Sequence, residues 1–340
     1  MKHLNDILKE SLLDDEDQIM NDFEESIKLS ISKFIEDNFN VSKYSILKEP
    51  NNDKFIVNAK SVIVENKSIT SLTNGLFVWG IVDGDFRCRN CHSLISLEGA
   101  PKEVGNDFNC SQCISLISLV GAPKKVGNDF NCSSCKSLKT LEGAPKEVRG
   151  DFNCYICKSL MSLKGAPEKV GGYFDCSDCN SLTSLDGAPK KVERSFNCTY
   201  CKSLVSLKGA PGKIGHDFDC SHCDSLISLD GVPQVIEHNF FCLYCNSLKT
   251  LKGAPKKVGN GFDCSHCDSL ISLDGAPKEV GFDFFCSNCN SLKTLKGAPK
   301  KVEGDFYCSD CGSLTSLDGA PKKIGGDFHC SDCGSLTSLN

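Results

Sequence analysis

The chain has 340 residues, a formal net charge of −6 and 40% apolar residues, a composition that fits a folded protein. It contains no run of about 18 apolar residues, which excludes an obvious transmembrane helix. The acidic stretch that follows Met1-Lys2-His3 lacks the apolar core of a secretory signal. The resulting expectation is a cytoplasmic protein with no membrane partner and reduced cysteines.

Residues 1–40 are expected to be an amphipathic helical segment. Leu4, Ile7, Leu8 and Leu12 recur at helical spacing, and Ile19, Met20, Phe23, Ile27, Ile31, Phe34 and Ile35 do so again. Asp14-Asp15-Glu16-Asp17 between them reads as a solvated break or as the acidic first turn of a second helix. The apolar face either packs against the next segment or serves as a docking or self-association element.

Residues 41–84 are expected to form a β cap and an irregular first coil. Tyr44, Ile46 and Leu47, a Pro50-Asn51-Asn52-Asp53 turn and Phe55-Ile56-Val57 read as a hairpin. Asn66-x-x-Ile69-x-x-Leu72 aligns with Cys91-x-x-Leu94-x-x-Leu97, offset by 25 residues. Leu76-Phe77-Val78-Trp79 then fills the place that Gly-Ala-Pro takes later, and such a bulky, atypical coil suits an end cap.

From residue 85 to 340 a unit repeats every 22 residues without an insertion; its first cysteine falls at Cys88, Cys110, Cys132 and onward to Cys330. A second cysteine follows three residues later in each, so all 24 cysteines belong to twelve pairs. A period of this length means a supersecondary unit that buries its apolar side against copies of itself. In the second copy the apolar positions are Phe108, Cys110, Cys113, Leu116, Leu119 and Val126. Phe-x-Cys has the period of a strand, and Gly-Ala-Pro stops regular structure. The prediction is one short parallel strand per coil, stacked into a solenoid. The chain stops at Asn340 within a repeat, so self-association through an uncapped last coil is a further expectation, alongside the N-terminal helix.

Phe108-x-Cys110-x-x-Cys113-x-x-Leu116-x-x-Leu119 resembles the leucine-rich repeat family in its cysteine-bearing form, and the resemblance covers about residues 61–340. It departs in lacking the first strand leucine and in carrying Gly-Ala-Pro-Lys-Lys-Val where the family has a longer convex segment. Short cysteine-bearing repeats of this kind are similar to those of uncharacterised bacterial and bacteriophage proteins. The resemblance implies that residues beside Phe and between the cysteines face a concave binding surface.

Three readings of the cysteines stand side by side. Two stacked Cys-x-x-Cys pairs have the spacing of a four-thiolate zinc site, with Cys88, Cys91, Cys110 and Cys113 and their equivalents as the alternative ligands. Buried reduced thiols acting as small apolar residues explain the paired leucines as well. Disulfide or redox work needs one special pair, and twelve equivalent pairs offer none. No cofactor is expected on the second reading, and zinc on the first.

The concave face that the resemblance implies carries an asparagine or aspartate column from Asn109 to Asp263 and an aspartate column from Asp85 to Asp327, and is expected to be polar and acidic. Tyr155, Tyr173, Tyr200, Phe241, Leu243, Tyr244, Phe285 and Tyr307 interrupt the polar pattern and form the candidate binding patch, since tyrosine anchors are enriched at interfaces. Lysine pairs such as Lys124-Lys125 and Lys300-Lys301 read as solvated charge. Residues 1–84 hold 15 acids and 9 bases and the remainder 29 of each, so bulk charge gives no drive toward nucleic acid. No residue sits in a catalytic motif. The expected function is non-enzymatic: a scaffold for a protein partner, with a structural zinc array or a helix-led docking module as the alternatives.

Overall fold

The computed structural model describes residues 2–49 and 54–337. Its first element, α1 (Lys2–Asn38), is one continuous helix of 37 residues. The acidic run Asp14–Asp17 therefore interrupts nothing, and the helix backbone passes through it. Near its end, Ile31 and Ile35 are fully buried and Ile27 and Phe34 pack beside them. The Asn38 amide donates back to the Phe34 carbonyl at 2.8 Å and closes the last turn. No described helix is long and apolar enough to cross a membrane.

Strands β1 (Phe39–Lys48) and β2 (Phe55–Val64) form the expected hairpin, longer than the sequence suggested, with Phe39 opposite Val64 and Lys48 opposite Phe55. The Pro50–Asp53 turn lies outside the described residues. The other edge of β2 pairs in parallel with β3 (Phe77–Val82) and then with Phe86-Arg87 of the first regular coil. This one strand converts an antiparallel hairpin into the parallel pairing of the solenoid. Trp79 fills the junction, fully buried, and its indole N–H donates to the Leu72 carbonyl at 3.0 Å. Asn66 holds the place of Cys91 in its turn, with Ile69 N–H donating to Asn66 O at 3.2 Å as Leu94 N–H does to Cys91 O, but its side chain is not inward. It is exposed and its amide donates to the Asn38 side chain at 2.7 Å. Val62 is in register with Phe86, so buried Val64 stands where Cys88 stands in the next coil.

The array is a parallel-strand solenoid with 22-residue turns, as expected. Phe86-Arg87, Phe108-Asn109, Phe130-Asn131 and their successors pair in unbroken register to Phe328-His329. A second two-residue pairing, absent from the sequence reading, runs through Glu103-Val104, Lys125-Val126 and their equivalents on the next side of the coil. In the coils before the last the six apolar positions turn inward. Phe174, Cys176, Cys179, Leu182, Leu185 and Val192 all have 0% exposure. Tight turns close the corners: Leu182 N–H donates to Cys179 O and Ala188 N–H to Leu185 O, at 3.0 and 2.9 Å. Gly187 shows why Gly-Ala-Pro begins with glycine. Its φ is +90°, and a Cβ there would lie 2.5 Å from the Lys164 backbone nitrogen of the coil below.

Candidate interaction face

The thiols are set by the same stacking. The second cysteine of a pair turns its sulfur to the carbonyl of the first cysteine one coil earlier: Cys113 to Cys88 O at 3.0 Å, Cys135 to Cys110 O at 3.2 Å, Cys179 to Cys154 O at 3.3 Å. The pattern persists to Cys333 and Cys308 O at 3.2 Å. Several first cysteines turn to a carbonyl in the following coil, such as Cys176 to Asn197 O at 3.4 Å. A thiol can donate in this way and a thiolate cannot. Burial pushes the thiols of Cys132, Cys198, Cys264 and Cys286 well above the ordinary range. Burial also holds Cys311, nearer the end, up at about 11. Among the alternative zinc ligands, Cys91 turns to Arg89 O at 3.8 Å and Cys113 to Cys88 O at 3.0 Å. A four-thiolate site needs deprotonated sulfurs converging on one point. Among the described residues, the groups of three or more metal-capable side chains with ligand atoms within 4.8 Å of one another reduce to Asp305, Asp327 and His329.

Outward, a side-chain turn recurs in the coils that carry Asn or Asp after Phe. The residue after Phe accepts an N–H from two residues on: Asn109 from Ser111 at 3.0 Å, Asp175 from Ser177 at 2.9 Å, Asp263 from Ser265 at 2.8 Å. In every coil, whether or not that residue is Asn or Asp, the second residue between the cysteines takes the left-handed region. Tyr200, His222, Tyr244 and His266 have φ of 58°, 60°, 55° and 60°. Glycine or asparagine is the usual occupant of that conformation, so large rings there cost backbone strain.

The aspartate column before Phe is not a row of free charges. Asp107 accepts the Asp129 N–H of the next coil at 3.2 Å, Asp129 that of Asp151 at 2.8 Å, and Asp305 that of Asp327 at 2.7 Å. Where aspartate is missing, Ser195 and Asn239 substitute as acceptors for Asp217 and Gly261 at 3.2 and 3.0 Å. The column is a side-chain ladder that ties coil to coil except after Tyr173 and Gly261, which offer no such acceptor. The bond from the Asp327 N–H, with the Tyr307 hydroxyl, holds the Asp305 carboxyl below its usual range.

The eight candidate residues fall into four columns. Tyr200 and Tyr244 share the left-handed column. Phe241, Phe285 and Tyr307 follow Phe, Tyr155 and Leu243 follow the first cysteine, and Tyr173 occupies the aspartate column. Tyr173 lies apart, under the Arg194 guanidinium at 5.5 Å from the ring centroid. The structure joins Tyr200, Tyr244, Phe285 and Tyr307 into lines with His222, His266 and His329, and leaves Tyr155, Phe241 and Leu243 outside them. Tyr200, His222, Tyr244 and His266 make one continuous stack, with centroids 4.2, 4.5 and 4.3 Å apart and planes within 9°. Phe285, Tyr307 and His329 make a second, at 4.6 and 4.4 Å. Reading down the 22-residue column instead of along the chain would have found both. Phe241 stands in register between Asp219 and Asp263. Burial raises both of those carboxyls, against the hydrogen bonds from Ser221 and Ser265 and, less, the nearby His222 and His266.

No protein-family description matches this chain, and no curated protein matches it. Among solved structures, a leucine-rich repeat protein from Bacteroides ovatus ATCC 8483 is similar over 87% of this chain and 92% of its own, at 14% sequence identity and a TM-score of 0.45.

Proposed function

We propose that the solenoid is a non-enzymatic protein-binding scaffold whose contact surface is the outer side of the Phe strand ladder. The observation that supports this most directly is the pair of surface ring stacks, Tyr200 to His266 with Tyr200 and Tyr244 exposed and the histidines half-buried, and Phe285 to His329, half-buried in a neighbouring column. The interior needs none of these residues, since Gln112 and Ser134 serve the same turn in other coils. Aromatic rings held rigidly at a surface lose little conformational freedom on binding and supply large contact area.

A second reading has its own observation. Upstream of the packed residues, α1 carries Ile19, Met20 and Phe23 on its surface, at 67%, 53% and 61% exposure. This apolar stripe continues the face that seals the solenoid and is free to dock a partner. One capture experiment compares both. The full chain is used as bait beside a Phe241→Ser/Tyr244→Ser/Phe285→Ser variant and an Ile19→Gln/Phe23→Gln variant, each checked for native circular dichroism. Loss of the captured partner with the first variant alone is the expected result. Capture unchanged by the first variant and lost with the second assigns the contact to the helix.

A further inference from the structure

The Tyr200–His266 line is bordered by carboxylates that recur every second coil. Asp219 and Asp263 lie three residues before His222 and His266, and Asp224 and Asp268 two residues after them. In the coil between, the equivalent places hold Phe241 and Asn246. Asn246 donates its amide to Asp224 at 3.1 Å, and Asn290 donates to Asp268 at 2.8 Å, which fixes those carboxylates in place. Lys136, Lys158 and Lys202 occupy the Asp224 column in earlier coils, and from Asp224 to Asn290 that column has no base. That column therefore changes from lysine to aspartate or asparagine between Lys202, beside the first ring, and Asp224, beside the second.

We propose that this stretch receives an extended peptide segment with lysine or arginine side chains three residues apart. This names the partner chemistry of the strand face and rests on reading that face as a protein-binding surface. Neighbouring parallel strands lie about 4.8 Å apart, so carboxylates two coils apart repeat at about 9.6 Å. An extended or polyproline-type chain advances about 3.1–3.4 Å per residue, so three residues span nearly the same length. A Lys-x-x-Lys segment laid along the stack brings successive cations to Asp219 and Asp263. Phe241 and Leu243 then lie beneath the aliphatic stems between them. The faces of the inner rings are already covered by one another, so the stack offers its edges: the Tyr200 and Tyr244 hydroxyls and the imidazole nitrogens, all hydrogen-bonding groups.

The test uses the full chain and three fluorescent peptides: one with lysines at every third position, one with the same lysines placed consecutively, and one with glutamate replacing lysine. Fluorescence anisotropy is expected to show the every-third peptide binding about tenfold tighter than the consecutive one, with no binding by the acidic one. Raising salt to about 0.5 M should weaken it strongly. Asp219→Asn/Asp263→Asn should weaken binding of the every-third peptide by about tenfold or more. Asparagine fills the same turn position at Asn109, Asn131, Asn153 and Asn197, so this variant keeps the fold, and circular dichroism verifies it. Equal binding of the two basic peptides, or full binding by the double variant, overturns the proposal. If neither basic peptide binds while the Phe241/Tyr244/Phe285 serine variant still loses its captured partner, the basic-partner inference is wrong and the scaffold reading stands. If capture also survives that variant, both are wrong.

Discussion

The cap and the array bury aromatic rings in opposite ways. In the cap, Trp79 meets Phe39, Phe77 and Phe86 edge to face, with centroids 5.4, 5.4 and 6.0 Å apart. In the array, Phe rings lie face over face, as between Phe174 and Phe196 at 5.3 Å and 2°. Translation by one coil copies every ring in the same orientation, so a repeat can only stack. Edge-to-face contact needs neighbours that differ, and therefore marks the place where the repeat stops. The second contrast is chemical. Every cysteine lies at or beyond Cys88, and the cap has none, so thiol chemistry acts on one region and leaves the other alone.

That difference predicts the largest effect. A thiol in an unfolded chain ionises near pH 8.5. Cys110, Cys132, Cys198, Cys220 and Cys264 are raised well above this, chiefly by burial. With the folded value raised, their stabilising contribution is complete below pH 8.5 and is lost as pH rises above it. Each such thiol subtracts about 1.4 kcal/mol per pH unit once the unfolded form is ionised and the folded form is not. Several coils unfolding together should lose several kcal/mol between about pH 8.5 and 9.5. The urea midpoint of the array, followed by circular dichroism, should fall steeply over that range. The midpoint followed by fluorescence of Trp79, the sole tryptophan, should fall less. Cysteines holding zinc would be thiolates in the folded protein and would make it acid-sensitive instead. A midpoint that drops toward acid and not toward alkali would exclude the thiol-ladder account.

Trp79→Ala sharpens the comparison from the other side. Removing a fully buried indole costs about 3–5 kcal/mol. It also strands the Leu72 carbonyl that the indole N–H satisfies. Phe174→Ala removes a ring of similar burial from mid-array at a similar cost, but its neighbours are other coils. In a one-dimensional array, coupling runs between nearest neighbours. Native-state hydrogen exchange should therefore show Trp79→Ala fraying the first coils and the hairpin, and Phe174→Ala opening the middle. Identical exchange patterns in the two variants would mean that cap and array unfold as one cooperative unit.

The interior was legible in the sequence because each inward position is set by one offset in a 22-residue register, and twelve copies confirm it. Legibility ended where the register slips. Asn66 aligns with Cys91 through Ile69 and Leu72 and makes the same turn, yet the strand before it pairs one residue out of that register, Val62 with Phe86, and the Asn66 side chain lies on the surface. The ring stacks were hidden for a different reason. Tyr200 and His222 are far apart along the chain and adjacent only after the coil closes, at 4.2 Å. The aspartate column read as exposed negative charge because a sequence gives no sign that Asp129 points along the ladder to the Asp151 N–H.

The smallest effect tests the thiol ladder one bond at a time. The Cys179 thiol donates to Cys154 O at 3.3 Å inside the core. Cys179→Ala deletes the donor and leaves a void of little more than one sulfur atom, so the expected loss is about 1–2 kcal/mol. Cys179→Ser keeps a donor of similar reach but buries a more strongly hydrated group, so it should fall between alanine and the parent chain, within about 1 kcal/mol of either. A ligand role reverses the pattern. Serine and alanine would then be equally damaging, because each would leave three thiolates around a metal. Elemental analysis decides alongside the stability data. Zinc near zero with close to 24 titratable thiols in denaturant fits the ladder, and several zinc ions per chain, reduced by one in both variants, would replace it with metal sites.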